Sequence, residues 1–292
     1  MTFQENYAKY LNIFNDCLNA NVVKIEKNIG GILAESMIYA LSGGGKRIRP
    51  VLALATAELL GLEFDKVKKF AFAIECIHSY SLVHDDLPAM DNDDYRRGKL
   101  STHKKFGEAY GILAGDALLN YAFESVLDED NLTSTFDVKA LKILADCAGA
   151  KGMILGQVYD LQNEKNPKFT EELLYEIYEN KTAKLIMAPI LIASILSGSK
   201  YFTELKEFGY NLGITFQIVD DIMDEEGDLG TIGKTPHKDK EVDKLTSVKV
   251  FGLDGAKEKA EEHYNICKNI LKKIPNSEFL SQLTDKLFVR KS

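Results

Sequence analysis

The stretch that decides the fold runs from residue 58 to residue 91 and reads ELLGLEFDKVKKFAFAIECIHSYSLVHDDLPAMD. Up to His84 its apolar residues recur three or four positions apart, which is the spacing of one face of an α-helix. These residues are Leu59, Leu62, Val67, Phe70, Ala73, Ile74 and Ile77. We therefore predict helical structure over Glu58 to His84, ending at the two acids Asp85 and Asp86.

The same periodicity covers most of the remaining chain, over 109–127, 139–159, 171–196 and 202–222. Alternating strand patterns bounded by turn residues are missing, and the six prolines lie mostly where a helix would begin, bend or stop. Long helices with few breaks are typical of an all-α bundle. Since no linker, repeat or low-complexity segment interrupts the pattern, we expect residues 1–292 to form one domain.

The composition excludes several classes of protein. Hydrophobic residues make up 45% of the chain and charged residues 27%, which suits a sizeable core under a soluble surface. The net charge of −8 argues against a nucleic-acid partner, which needs a basic face. The longest apolar run, 185–196, is too short to span a membrane and is expected to be a core helix. A polar N-terminus and four widely spaced cysteines favour a cytoplasmic protein with reduced thiols.

Two clusters of aspartates follow strongly apolar helices. Positions 220 and 224 share one helical face, whereas positions 85 and 91 come together only if Pro88 ends or bends its helix. Clustered carboxylates repel one another, and bound cations relieve that repulsion. Because the ligands are oxygens only, the pattern indicates Mg²⁺ rather than zinc. The clusters are Asp85, Asp86 and Asp91, and Asp220, Asp221 and Asp224.

Three simpler interpretations fit less well. One such cluster alone would more often be a solvated helix end, but two at the ends of apolar helices favour a metal site. An EF-hand over Asp91–Asp94 is excluded, because its turn glycine and closing glutamate are missing. Two segments resemble the end of a phosphate-binding loop, but neither follows a predicted strand. Gly45-Lys46 lacks the following Ser or Thr, and Gly233-Lys234-Thr235 lacks the leading glycine.

Cationic residues are placed apart from the aspartates. Lys46 and Arg49 follow three glycines, and Arg96-Arg97-Gly98 follows the first cluster. Glycine-rich backbone with Lys and Arg suits an oxyanion of high charge. Cations at a helix start oppose the helix dipole, which favours an anion site over a solvated helix start. A second segment rich in Gly, Lys and Asp, Gly227 to Lys244, is expected to be a surface loop that closes as a lid.

In their order along the chain, these motifs resemble the short-chain trans-prenyl diphosphate synthases, and most of all the bacterial farnesyl diphosphate synthases (geranyltranstransferases). The likeness covers nearly the whole chain, and the ordered set is far more specific than any single motif. The motifs are Gly44–Pro50, Ile77–Asp91, Arg96–Gly98, Gly115–Leu118, Gly156-Gln157, Lys181-Thr182, Phe216-Gln217 and Asp220–Asp224.

The resemblance implies the isoprenoid synthase fold, a helical bundle around a deep apolar pocket that is usually homodimeric. It implies a Mg²⁺-dependent head-to-tail condensation of isopentenyl diphosphate with dimethylallyl or geranyl diphosphate, giving farnesyl diphosphate and diphosphate. All six aspartates would be catalytic, with three Mg²⁺ ions held by Asp85, Asp91 and Asp220. Isopentenyl diphosphate would be bound by Lys46, Arg49, His78 and Arg97. The allylic diphosphate would be bound by Arg96, Lys181, Thr182, Gln217, Lys234 and Lys244.

One segment departs from the family pattern. Thr-Pro-His-Lys-Asp follows Gly233-Lys234 where the family commonly has a second glycine. This departure makes the role of Lys244 less secure than that of Lys234. Thr182 and Gln217 offer neutral oxygens toward developing positive charge, and the proton acceptor stays open, with the departed diphosphate as one candidate.

Product length is predicted at Tyr80 and Ser81, about one helical turn before Asp85. The resemblance places chain-length control at the same two positions. A bulky Tyr80 would form the floor of the pocket and stop growth at fifteen carbons, although it would also fit as a plain core residue. Geranyl or geranylgeranyl diphosphate synthase is the alternative. A terpene cyclase or a non-catalytic subunit fits less well, because such proteins typically lack one of the two aspartate clusters.

Overall fold

The computed structural model describes residues 2–127, 134–164, 166, 168–226 and 244–289. Within these ranges the chain is almost entirely helical, which confirms the prediction of an all-α fold. A two-stranded hairpin pairs β1 (Tyr95–Arg96) with β2 (Lys99–Leu100), and a π-helical segment covers Glu179–Ala183. The α-helices are α1 Phe3–Asn28, α2 Gly31–Leu41, α3 Ile48–Leu59, α4 Phe64–Asp85, α5 Thr102–Phe106, α6 Glu108–Leu127, α7 Thr135–Ala148, α8 Met153–Asn163, α9 Glu171–Tyr178, α10 Lys184–Ser197, α11 Phe202–Glu226, α12 Ser247–Leu271 and α13 Glu278–Phe288.

The core is built around α4 and α10. Helix α4 packs against α3 and α6, and α10 packs against α3, α7 and α11. The side chains of Phe70, Ile74 and Ile77 are completely buried, as the periodicity of α4 predicts. Helix α10 is buried over most of its length, so the apolar run 185–196 is a core helix as expected. Among the described helices, none is long and apolar enough to cross a membrane.

Two predicted helices are each broken by a turn. The stretch from 58 to 84 is not one helix, because α3 ends at Leu59 and α4 begins at Phe64 after a turn at Gly61, where φ is 66°. The stretch 139–159 breaks at Gly149–Gly152. There, a Cβ on Gly152 would lie 2.1 Å from the carbonyl oxygen of Cys147. Apolar periodicity continues across both turns because the segments on either side bury residues in the same core.

Candidate active site

The C-terminal ends of α4 and α11 open onto one cavity of about 880 Å³. Its walls also come from the loop before α3, the hairpin, α8, the π-helical segment and the residues just before α12. Of the phosphate- and metal-binding residues predicted from sequence, all but Asp86 and Lys234 line it, and Lys234 is outside the described residues. The charged and polar lining side chains are Lys46, Arg47, Arg49, Glu75, His78, Asp85, Asp91, Asp93, Arg96, Arg97, Asp160, Tyr178, Lys181, Thr182, Gln217, Asp220, Asp221, Asp224, Lys244 and Thr246.

The first aspartate cluster folds back on itself after the end of α4. The backbone N–H of Asp91 donates to the carbonyl oxygen of Asp85 at 2.8 Å, and that of Asn92 donates to Leu87 at 3.1 Å. Asn92 has a φ of 51°, a left-handed conformation that Asn tolerates better than most residues. The turn around Pro88 therefore brings Asp91 back beside Asp85, as the sequence predicts.

The middle aspartate of this cluster faces away from the cavity. Asp86 is 2% exposed, and the Nε of Arg96 donates to its two carboxylate oxygens at 2.7 and 2.9 Å. Burial opposes the charge of Arg96, but the hydrogen bonds and charge of Asp86 outweigh it and raise the pKa of Arg96. The Asp86 carboxylate is thus occupied by a protein partner and holds the hairpin strand that carries Arg96.

The second cluster, on α11, also has a buried middle aspartate. All three of its aspartates border the cavity, but Asp221 is 5% exposed and its carboxylate is bound by protein groups. Asp221 accepts hydrogen bonds from the Tyr178 hydroxyl, from the backbone N–H and hydroxyl of Ser247 at 2.7 and 2.9 Å, and from Gln217 Nε2 at 3.1 Å. Burial raises the pKa of Asp221 to about 6, although these donors partly oppose the shift. In both clusters, the middle aspartate is an internal anchor.

The remaining four aspartates fit a magnesium site. Asp85, Asp91, Asp220 and Asp224 present carboxylate oxygens to one cavity, and such oxygens are the ligands that Mg²⁺ prefers. Over the described ranges, no three acidic, His or Cys side chains converge closely enough to hold an ion by themselves. Mg²⁺ is usually bound by one or two carboxylates together with water and substrate phosphates. The spacing therefore suits metal that is shared with a bound diphosphate.

The π-helical segment carries Lys181 and Thr182 to the cavity. Two glycines allow neighbouring helices to approach it closely. A Cβ on Gly156 of α8 would lie 2.1 Å from the backbone N of Lys181, and one on Gly213 of α11 would lie 2.4 Å from the Cα of Ala183. Single π-turns occur often at functional sites. Here the close packing fixes which side chains the turn presents.

Two hydrogen bonds fix the orientation of the Lys181 and Thr182 side chains. Lys181 forms an ion pair with the buried Asp160, four residues after Gly156. The Thr182 hydroxyl donates to Gln217 Oε1 at 2.7 Å, and Gln217 in turn donates to Asp221. A chain of hydrogen bonds thus links the π-helical segment to the anchor of the second cluster.

The cations predicted to bind isopentenyl diphosphate line the same cavity. Lys46 and Arg49 lie in and just after the glycine loop, next to His78 of α4. Arg97, at the hairpin turn, donates to the carbonyl oxygen of Gly44. Gly45 has a φ of 112°, which residues with a Cβ rarely adopt, and a Cβ there would lie 2.6 Å from Arg97 Nη1, so glycine suits this position. Burial and the surrounding arginines hold the pKa of His78 well below its usual range, so His78 is neutral at pH 7.

Lys244 lies near the first cluster, with its Nζ 3.9 Å from Asp91 Oδ1. It is placed by Ser247, which begins α12 three residues later and bonds to Asp221. Its position is consistent with a phosphate contact despite the unusual sequence that precedes it. The predicted lid, apart from Lys244, lies outside the described residues.

Comparison with known proteins adds to this geometry. Residues 31–283 match the polyprenyl synthetase family. The chain belongs to this family.

A farnesyl diphosphate synthase of Haemophilus influenzae is 41% identical over 99% of both chains. A chloroplastic geranylgeranyl pyrophosphate synthase of Capsicum annuum is 42% identical, over 79% of this chain and 63% of that protein. A crystal structure of a Helicobacter pylori geranyltransferase complexed with magnesium and isoprenyl diphosphate has a TM-score of 0.80 and 34% identity, covering 97% of this chain and 96% of the other. The family resemblance predicted from the sequence is confirmed.

In this polyprenyl synthetase, the two residues predicted to set product length do not line the cavity described above. Tyr80 is buried in α4, its ring meets the His84 ring edge-on at 5.8 Å, and its hydroxyl has no hydrogen-bond partner among the described residues. The Ser81 hydroxyl donates to the carbonyl oxygen of His78 at 3.0 Å. Their role in chain length remains a prediction.

Sequence reasoning missed the residues that position the site. Asp160, Tyr178 and Ser247 hold predicted ligands in place, and Arg47 and Glu75 form a buried ion pair beside the glycine loop. Arg47 lies inside a motif that we quoted, so its charge was visible. Its pairing with Glu75 was not visible, because tertiary contacts decide whether an arginine binds a ligand or another side chain.

Proposed function

We propose that this polyprenyl synthetase condenses isopentenyl diphosphate with dimethylallyl and geranyl diphosphate to give farnesyl diphosphate and diphosphate, using Mg²⁺. One observation carries the proposal: two aspartate clusters and a separate glycine-rich cation site line the same cavity. A chain-elongating enzyme must bind two diphosphates at once, and these two sets of residues provide one site for each. A terpene cyclase would have no use for the second site.

The allylic diphosphate would bind between the two clusters. Asp85, Asp91, Asp220 and Asp224 would hold Mg²⁺, which neutralises charge as the diphosphate leaves; we propose three ions. Lys181, Lys244 and Arg96 lie close enough to the clusters to orient the same group through charge-assisted contacts. Charge stabilisation that acts where charge develops is usually the largest single catalytic contribution.

Isopentenyl diphosphate would bind at Lys46, Arg49, His78 and Arg97, and its double bond would have to reach the allylic substrate in the same cavity. A neutral His78 suits this site, because it donates a hydrogen bond without adding charge to the surrounding arginines. The Thr182 and Gln217 oxygens face the cavity and would stabilise the allylic carbocation, while the apolar helices beneath exclude water. Proton loss then completes the product, and the departed diphosphate is our candidate for the acceptor.

Chain length and assembly complete the proposal. We infer a fifteen-carbon product limited by Tyr80, with twenty carbons as the alternative favoured by the Capsicum annuum relative. We also propose a single-domain, cytoplasmic homodimer. Support for a dimer comes from apolar side chains on the outer faces of α6 and α8, which are 40–52% exposed. They are Tyr110, Ile112, Leu113, Leu127, Ile154, Val158 and Leu161.

The test uses the purified chain alone with radiolabelled isopentenyl diphosphate and either dimethylallyl or geranyl diphosphate. We expect diphosphate release that requires Mg²⁺, is abolished by EDTA, and yields a fifteen-carbon alcohol after phosphatase treatment. Absence of diphosphate release at any Mg²⁺ concentration would contradict the activity. A twenty-carbon main product would leave the activity intact and overturn the assigned length. Light scattering of the eluting protein tests for the dimer.

A further inference from the structure

Arg47 occupies an unusual position at the start of α3. It is the N-cap residue, with φ 48° and ψ 39°, and its side chain makes no cap hydrogen bond. N-cap positions favour Ser, Thr, Asp or Asn in an extended conformation, and a left-handed conformation is uncommon for a long side chain. A position that breaks two local rules needs stabilisation from elsewhere, and such positions cluster at functional sites.

The stabilisation comes from a buried ion pair. Arg47 Nη1 pairs with the carboxylate of Glu75 in α4, and Nη2 donates to the carbonyl oxygen of Leu41 at 2.6 Å. Glu75 is 2% exposed and Arg47 is 9% exposed. The guanidinium also lies 6.0 Å from the centre of the Phe14 ring. Arg47 therefore ties the end of α2 and the start of α3 to the middle of α4.

This ion pair lies among the predicted ligands of isopentenyl diphosphate. Lys46 precedes Arg47 and Arg49 follows two positions later, while Glu75 is one helical turn before His78 on α4. Burial lowers the pKa of Arg97, and the negative charge of Glu75 partly opposes that shift. Glu75 thus acts as a fixed counter-charge inside a cluster of cations. Although Arg47 borders the cavity, its guanidinium is already paired with Glu75 and with the Leu41 carbonyl oxygen, which leaves fewer of its donors for a phosphate.

We propose that Arg47 and Glu75 are a positioning pair: they lock the glycine loop so that Lys46 and Arg49 meet the diphosphate of isopentenyl diphosphate. The inference rests on the proposed function for the identity of that substrate. It goes beyond that function by assigning a role to two residues that contact each other rather than the ligand. The pair should affect mainly the homoallylic substrate, since the glycine loop and the start of α3, which Arg47 holds, carry no residue of the proposed allylic site.

Single substitutions of the pair give the first test. In Arg47→Gln and Glu75→Gln, we expect the KM for isopentenyl diphosphate to rise at least about tenfold, with the KM for geranyl diphosphate within about twofold. Arg47→Lys retains the charge opposite Glu75 and should stay within about threefold of wild type. Lys46→Ala removes a proposed direct contact to the diphosphate, and its rise in the KM for isopentenyl diphosphate is the reference for the size of the effect. Lys268→Met breaks an ion pair with Asp285 outside the cavity and should change stability but neither KM.

A double variant separates positioning from stability. Removing one member of a buried ion pair leaves an uncompensated charge, whereas replacing both with apolar side chains is often tolerated. In Arg47→Met/Glu75→Leu, we expect the thermal midpoint to return toward wild type while the KM for isopentenyl diphosphate stays raised at least about tenfold. Recovery of that KM together with the midpoint would overturn the proposal, because the pair would then only stabilise the fold. An unchanged KM in the folded single variants, or equal rises for both substrates, would also overturn it.

Failure of the proposed function is distinguishable from failure of this inference. If the wild-type chain lacks turnover, the variants are compared by calorimetric titration with inorganic diphosphate in EDTA, where the metal-dependent aspartate clusters do not bind it, at a temperature where circular dichroism shows all of them folded. At least tenfold weaker binding in both single variants and in the double variant would support the pair as a positioning device. Equal binding across the series would overturn it.

Discussion

Tyr178 in α9 donates its hydroxyl hydrogen bond to Asp221 in α11, and the same carboxylate oxygen accepts the backbone N–H of Ser247 at 2.7 Å. This arrangement joins the helix before the π-turn, the helix of the second aspartate cluster and the start of α12. It engages the Asp221 carboxylate in hydrogen bonds to protein groups and gives it a structural role. The position of Lys244, three residues before Ser247, depends on the same anchor.

Loss of the Tyr178 hydroxyl should weaken this anchor. We expect Tyr178→Phe to lower the free energy of unfolding by about 1.5–3 kcal/mol, the range for a hydrogen bond to a charged group. The kcat should fall by less than about tenfold, because no metal ligand is lost. Urea unfolding and steady-state kinetics measure the two effects. Tyr210→Phe is the control, since that hydroxyl has no hydrogen bond to any described residue. Equal stability of the two variants would argue against the anchor.

Two glycines one turn apart on α11 provide a matched test of the π-helical segment. A Cβ at residue 213 would lie 2.4 Å from the Cα of Ala183, whereas one at residue 209 would meet only Met187 and Ile190, at 3.2 Å or more. Gly213→Ala should therefore displace Lys181 and Thr182 and raise the KM for the allylic substrate at least about fivefold. Gly209→Ala should leave it within about twofold. Similar kinetics for the two variants would mean that close packing at residue 213 does not set the allylic site.

The buried His263 predicts a pH dependence of stability. It lies between Asn211 Oδ1 at 2.7 Å and the Tyr175 hydroxyl at 3.1 Å, and burial lowers its pKa below its ordinary value of about 6.5. The charge of Glu262 partly opposes this shift, and the charge of Lys259 adds to it. The unfolded chain then binds a proton more readily than the folded one. Stability present above about pH 6.5 is lost as the pH falls through the lowered pKa. Urea unfolding of metal-free protein between pH 5 and 7.5 should give a smaller slope for His263→Gln. Identical slopes would contradict this.

Product length depends on Tyr80 in our account. Tyr80→Ala should open the space below Asp85 and shift the main product to twenty carbons or more, and Ser81→Phe should shorten it toward ten. Because the Tyr80 hydroxyl has no partner among the described residues, Tyr80→Phe should leave the distribution unchanged. Chromatography of the dephosphorylated products gives the answer. If Tyr80→Ala still makes the wild-type product, the floor of the pocket lies elsewhere.

The sequence predicted the helices and the residues that line the cavity better than it predicted the partners of those residues. Apolar periodicity located α4, α6 and α11, and motif order gathered residues from 46 to 244 into one site. It did not show the turns at Gly61 and Gly149–Gly152, because the apolar pattern continues across them. Nor did it separate Asp86 and Asp221 from their neighbours. Adjacent aspartates look alike in sequence. Which of them is bound by protein groups is decided by partners on other elements, Arg96 for Asp86 and Tyr178 for Asp221.

The close approach of helices was equally hidden. Gly156 was visible as part of a motif, but its reason for being glycine is the backbone of Lys181, which lies on another helix. The hairpin at 95–100 escaped prediction because its strands have only two residues each, too few for an alternating pattern. Such contacts depend on tertiary packing, which single-sequence periodicity does not contain.

The central claim is that both aspartate clusters hold catalytic metal on the allylic diphosphate. It is tested most directly by the kcat of Asp85→Ala and Asp220→Ala at saturating Mg²⁺ and substrates, with Asp65→Ala on the exposed start of α4 as the control. Removing metal-borne charge stabilisation should lower kcat at least about a hundredfold in each cluster variant, with an unchanged circular dichroism spectrum. Asp65→Ala should match wild type. Near-normal turnover in either cluster variant would contradict the account.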